Sequence, residues 1–96
     1  MQFLIIAYDG KDAGAMDRRM AAREAHLQGV ASLKQLQQII AGGAILDDDN
    51  RMIGSTLYVE FESREELNTW LNNDPYVTGG VWKDISIQPI KLAVRN

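Results

Sequence analysis

Residues 2–8, QFLIIAY, are apolar on both of their alternating sets, Phe3, Ile5 and Ala7 on one and Leu4, Ile6 and Tyr8 on the other. This β-branched and aromatic run ends at the turn signal Asp9-Gly10, and it predicts a strand covered on both faces. Residues 17–41 change period. They hold no proline and one glycine, are rich in Ala, Leu, Gln, Arg and Met, and run into Gly42-Gly43. That pattern predicts a helix with the glycine pair as its stop.

Residues 44–61, AILDDDNRMIGSTLYVEF, read as two strands around an acidic turn. Asp47, Asp48, Asp49 and Asn50 lack the spaced ligands, central glycine and terminal glutamate of a calcium loop, so a hairpin turn is the reading. Ser63-Arg64-Glu65-Glu66 has the form of a capping box, and Leu67, Trp70 and Leu71 give the helix that follows one apolar stripe ending by Asn73. Asp74 then caps a short helical turn with Pro75 at its first position, and Gly79-Gly80 breaks it. The last strand is residues 82–92, WKDISIQPIKL, where Pro89 marks an edge or a bulge.

The order β-α-β-β-α-β over residues 1–96 predicts a single α+β domain of the ferredoxin-like class, a four-stranded antiparallel sheet with two helices on one face. Two helices cover only one face of such a sheet. The second apolar face of the first strand therefore calls for another cover, and a second copy of the chain, a homodimer, is the simplest.

Composition narrows the chemistry. A 96-residue chain buries only about 60 to 65% of the surface that its unfolded form exposes, so it folds with a thin margin. The formal charge of −3, with scattered Lys and Arg, argues against nucleic acid as a partner. No cysteine is present, which removes thiol catalysis and thiolate metal sites. With one histidine besides, only carboxylates could complete a metal site, and none is expected. The first residues lack the basic segment and cleavage site of a signal peptide, and the apolar run is too short to span a bilayer; the expectation is a cytoplasmic protein without a membrane partner.

His26 is the one histidine, and it falls inside the long helix. At about 100° per residue, with His26 at zero, Leu33 lies near −20°, Arg19 near +20°, Val30 near +40° and Arg23 near +60°. The imidazole thus shares a face with core residues and with two guanidinium groups. Read blandly, His26 is a satisfied core residue, Arg19 and Arg23 are solvated helix arginines and Asp74 is only an N-cap. Read functionally, the sheet side of the first helix and the loop after the second helix meet over one cleft, and these residues form a site.

Arg23-Glu24-Ala25-His26-Leu27, Gly54-Ser55, Val59 to Ser63, Asp74-Pro75-Tyr76-Val77 with Gly79-Gly80-Val81, and Ile87-Gln88-Pro89 together resemble the YciI-like, or YCII-related, proteins over essentially the whole chain. The resemblance implies a ferredoxin-like fold that pairs through its sheets as a dimeric α+β barrel. It also implies a His/Asp-centred active site, which by motif falls on His26 and Asp74, and one branch of the family removes hydrogen chloride from a chlorinated hydroxyhydroquinone. Relatives often carry proline where this chain has Glu24, so the local helix and the pocket entrance are expected to differ.

The preferred reading is a small enzyme without cofactor that transfers protons on a small anionic, phenolic or enolic molecule, as a lyase or isomerase. His26 is the general acid/base, since an ordinary histidine pKa of about 6.5 gives access to both protonation states near neutrality. Asp74 fixes its tautomer, Arg23 and Arg19 hold a ligand anion, and Ser55 or Tyr76 adds a hydrogen bond. The rival reading is a dimeric module that binds a small ligand, or assists another protein, without turnover.

Overall fold

The structure, a computed structural model, describes residues 1–95. Its elements are β1 (Gln2–Asp9), α1 (Ala15–Gln35), β2 (Ile39–Leu46), β3 (Met52–Glu60), α2 (Arg64–Asn73), α3 (Pro75–Thr78) and β4 (Trp82–Ile90). All ladders are antiparallel and the strand order is β2-β3-β1-β4, the ferredoxin-like arrangement. Pro89 lies on the edge strand β4, where its missing N–H costs no ladder bond.

Alternation along the strands divides the sheet into two faces. Phe3, Ile5 and Ala7 of β1 and Leu57 and Val59 of β3 point inward and are buried with Leu33 of α1 and Leu67 and Leu71 of α2. The other face carries Leu4, Ile6 and Tyr8, with Leu4 opposite Tyr58 and Ile6 opposite Thr56. It has no helix over it, and Tyr8 is 42% exposed.

The first helix stops six residues before position 41, the end that composition predicts, and Gly42-Gly43 lies within β2 instead of ending α1. The stop is made by Gln37, which adopts the left-handed φ of 58°. Gln38 N–H bonds to the Leu33 carbonyl at 2.8 Å and Gln37 N–H to the Lys34 carbonyl at 3.1 Å, the paired bonds of a Schellman motif. Such a stop usually advertises itself as glycine; here a glutamine takes the strain, and Ile39 and Ile40 are released to the sheet. Gly42 has a different task. A Cβ there would lie 2.5 Å from Leu57 Cδ2, so its absence gives the Leu57 side chain its place beside the edge strand.

The second helical region follows the sequence closely. Ser63 Oγ accepts from Glu66 N–H at 3.1 Å at the start of α2, and Asp74 accepts from Tyr76 N–H at 3.0 Å at the start of α3. Gly80, at φ 70°, turns the chain into β4. Among the described residues no helix is long and apolar enough to cross a membrane.

Candidate active site

The buried residues of α1 are Arg19, His26 and Leu33, spaced by seven, so one stripe of the helix delivers a guanidinium, an imidazole and an apolar anchor to the sheet. Leu33 belongs to the core. His26 is 5% exposed, and its Nδ1 lies 2.8 Å from Asp74 Oδ2. The same Asp74 oxygen is the cap of α3, so one carboxylate, itself 3% exposed, both starts a helix and grips the histidine. A carboxylate beside Nδ1 places the proton of the neutral ring on Nδ1, which donates to Asp74, and leaves Nε2 with its lone pair.

Aromatic packing fixes the ring plane. Tyr76 stacks on His26 with centroids 3.8 Å apart and planes 10° off parallel, while Trp82 meets the imidazole edge-on at 5.5 Å. The Arg19 guanidinium lies over the Tyr76 ring, 4.9 Å from its centroid. Burial pushes the Tyr76 phenol above its ordinary pKa, an effect that Arg19 and Arg23 partly oppose. Tyr76 is therefore a neutral phenol at physiological pH.

Arg19 is not a free anion holder. Its Nη1 donates to both oxygens of Asp9 at 3.0 Å and its Nη2 to Ser55 Oγ at 3.1 Å. Trp82 Nε1 donates to the same Ser55 oxygen at 3.1 Å. Arg23 is different, since it is exposed and makes no salt bridge among the described residues. Arg19 thus belongs to a buried network, and Arg23 is an exposed cation one turn further along the same helix.

These groups surround a cavity of about 170 Å³ between α1 and the inner side of β2 and β3, lined by Arg19, Arg23, His26, Ser55 and Tyr76 and floored by Gly42 to Ala44. Its size matches a single ring, since a cavity of about 150 Å³ accommodates benzene. A larger open groove beside α2, about 680 Å³, is lined by Leu33, Leu36, Phe61 and Trp70 without histidine or arginine, and the titratable groups of the dyad are absent from it. No three His, Asp or Glu side chains converge as metal ligands among the described residues.

The structure brings together His26, Asp74, Tyr76, Ser55, Arg19 and Arg23, all six of the residues that the sequence singles out. It adds Asp9 and Trp82. Asp9 reads as a turn residue beside Gly10, but the inward alternation Phe3, Ile5, Ala7 continues to position 9, and that was the signal for a buried carboxylate. Ser55 likewise ends the inward series Phe61, Val59, Leu57.

The YCII-related domain profile matches residues 1–91. The chain belongs to the YCII-related family. It is 32% identical to Protein YciI of Escherichia coli O6:H1 over 97 residues, covering 95% of this chain and 97% of that protein. An uncharacterized protein of Haemophilus influenzae is 35% identical over 100 residues, with the same shares covered. Among solved structures, the 5-chloro-2-hydroxyhydroquinone dehydrochlorinase of Burkholderia phenoliruptrix, in complex with 2,5-dihydroxybenzoquinone, superposes with a TM-score of 0.82 at 31% identity, covering 95% of this chain and 94% of that one. A dimeric ferredoxin-like protein of unknown function from Jannaschia sp. CCS1 shares the fold, with a TM-score of 0.54 at 16% identity over 95% of this chain and 98% of that one. A solved structure of similar fold is thus a dehydrochlorinase, a lyase-type enzyme.

Proposed function

We propose that this chain is a small enzyme of lyase or isomerase type that moves a proton on a single-ring phenolic or enolic molecule. The observation that carries this reading is the 2.8 Å contact of His26 Nδ1 with buried Asp74, in a residue that lines the cavity. Nε2 takes a proton from the ligand, and Asp74 stabilises the imidazolium that forms. Arg23 at the rim balances the developing oxyanion. The dehydrochlorinase of similar fold, holding a dihydroxybenzoquinone, supports the ring size and the proton chemistry.

The test uses 2,5-dihydroxybenzoquinone in heavy water, with deuterium entry at its carbon-bound positions followed by proton NMR. The wild type should accelerate the exchange. His26→Asn keeps a side-chain N–H for Asp74 but deletes Nε2, so the rate should fall by about 10²- to 10⁴-fold in a protein that stays folded. Equal rates for the variant and the wild type would refute the base role.

The same proposal includes a cytoplasmic location and a homodimer, the homodimer because Leu4, Ile6, Tyr8 and Tyr58 lie on the sheet face that no helix covers among the described residues. Sedimentation at micromolar concentration should give twice the 10.7 kDa chain mass, and a monomer would refute it.

A further inference from the structure

A serine hydroxyl has two acceptor positions and one proton to donate. At Ser55 both acceptor positions are occupied, by Arg19 Nη2 and Trp82 Nε1, each at 3.1 Å. Neither donor can reverse its role, because a guanidinium and an indole N–H only donate. The Ser55 proton therefore has to leave in a third direction. No protein acceptor receives it among the described residues, and Ser55 lines the cavity that holds His26 and Tyr76. Both donors are themselves immobilised: Arg19 is 3% exposed and held by both oxygens of Asp9, and Trp82 is 5% exposed and packed edge-on against His26 and Tyr76.

We propose that Ser55 is the specificity-determining residue of this cavity, a hydrogen-bond donor of fixed direction that selects a ligand oxygen in its anionic or carbonyl form over the protonated hydroxyl. Arg19, Asp9 and Trp82 are its positioning residues. The inference rests on the reading of the cavity as a ligand site and deepens it, naming the ligand class as ring enolates, phenolates and quinones. A hydroxyl free to rotate would serve either partner, as donor to an oxyanion or acceptor from a phenol. Here the acceptor option is closed before the ligand arrives, and no reorganisation is needed when charge develops on the ligand oxygen.

The probes are 2,5-dihydroxybenzoquinone, whose acidic enolic hydroxyls are ionised near neutral pH, and hydroquinone, a ring of the same size whose oxygens keep their protons. Calorimetric titration of the wild type should show the first binding at least about tenfold tighter. Ser55→Ala should weaken it by about 10- to 100-fold, the worth of a hydrogen bond to a charged group, and leave hydroquinone within about threefold. Trp82→Phe keeps the ring packing and frees one lone pair of Ser55, so the ratio between the two probes should narrow with Ser55 still in place. Ser55→Thr should restore the preference. If Ser55→Ala does not fold, Trp82→Phe carries the test alone, and an unchanged ratio there overturns the proposal.

The outcomes separate this proposal from the reading beneath it. A wild type that binds with a ratio unmoved by Ser55→Ala refutes the selector and leaves the His26 base intact. Lost selectivity in Ser55→Ala together with full exchange activity in His26→Asn upholds the selector and refutes the base. Failure of the wild type to bind either probe overturns both.

Discussion

Asp9→Ala is expected to cost about 3–5 kcal/mol of folding stability, because it strands the guanidinium of Arg19 in a site that is only 3% exposed. Both oxygens of Asp9 are engaged by Arg19 Nη1, and among the described residues no second carboxylate pairs with that group. Urea unfolding followed by tryptophan fluorescence measures the loss. The expected partner result is that Asp9→Leu with Arg19→Met recovers most of the stability, since replacing a buried ion pair by apolar groups of similar volume is often neutral or favourable. The comparison decides why the pair is there. If the double variant is stable but no longer distinguishes 2,5-dihydroxybenzoquinone from hydroquinone, the pair serves the direction of the Ser55 hydroxyl and not the fold. A single variant that loses less than about 1 kcal/mol would show that the network is solvated and that Arg19 is not locked.

Much of this was legible in the chain because the relevant signals are local. The Asp74-Pro75 cap, the Ser63 cap and the heptad spacing of Arg19, His26 and Leu33 each follow from helix geometry within a few turns. The His26 face was legible for the same reason: angular position on a helix does not depend on what packs against it. The end of α1 was not legible. Ile39 to Leu46 contains three isoleucines, two glycines and no charge, and whether such a stretch extends a helix or forms an edge strand is decided by its pairing with β3, a contact of long sequence separation. Gln37 in the left-handed region left no composition signal at all. Asp9 and Trp82 escaped for a related reason. Each reads as an ordinary strand-end residue, and only the pairing of β1 with β4, which sets Asp9 opposite Trp82, brings them both to Ser55 and Arg19.

Asp74→Asn separates the two duties of one oxygen. Asp74 Oδ2 accepts from Tyr76 N–H at 3.0 Å and contacts His26 Nδ1 at 2.8 Å. As a cap, asparagine is as good as aspartate, so α3 should keep its start and the fold should stay intact. The duty toward the imidazole changes. With the amide oxygen in the place of Oδ2, both hydrogen bonds survive but the negative charge that stabilises the imidazolium is gone. With the amide turned over, its N–H₂ faces Nδ1, the ring proton is driven to Nε2, and the lone pair no longer faces the cavity. Either arrangement weakens the base, and exchange into 2,5-dihydroxybenzoquinone should fall by about 10²- to 10⁴-fold. The deuterium exchange followed by proton NMR in both proteins measures the loss. An exchange rate equal to that of the wild type, in a variant that remains folded, leaves Asp74 as a cap alone and removes the dyad from the mechanism.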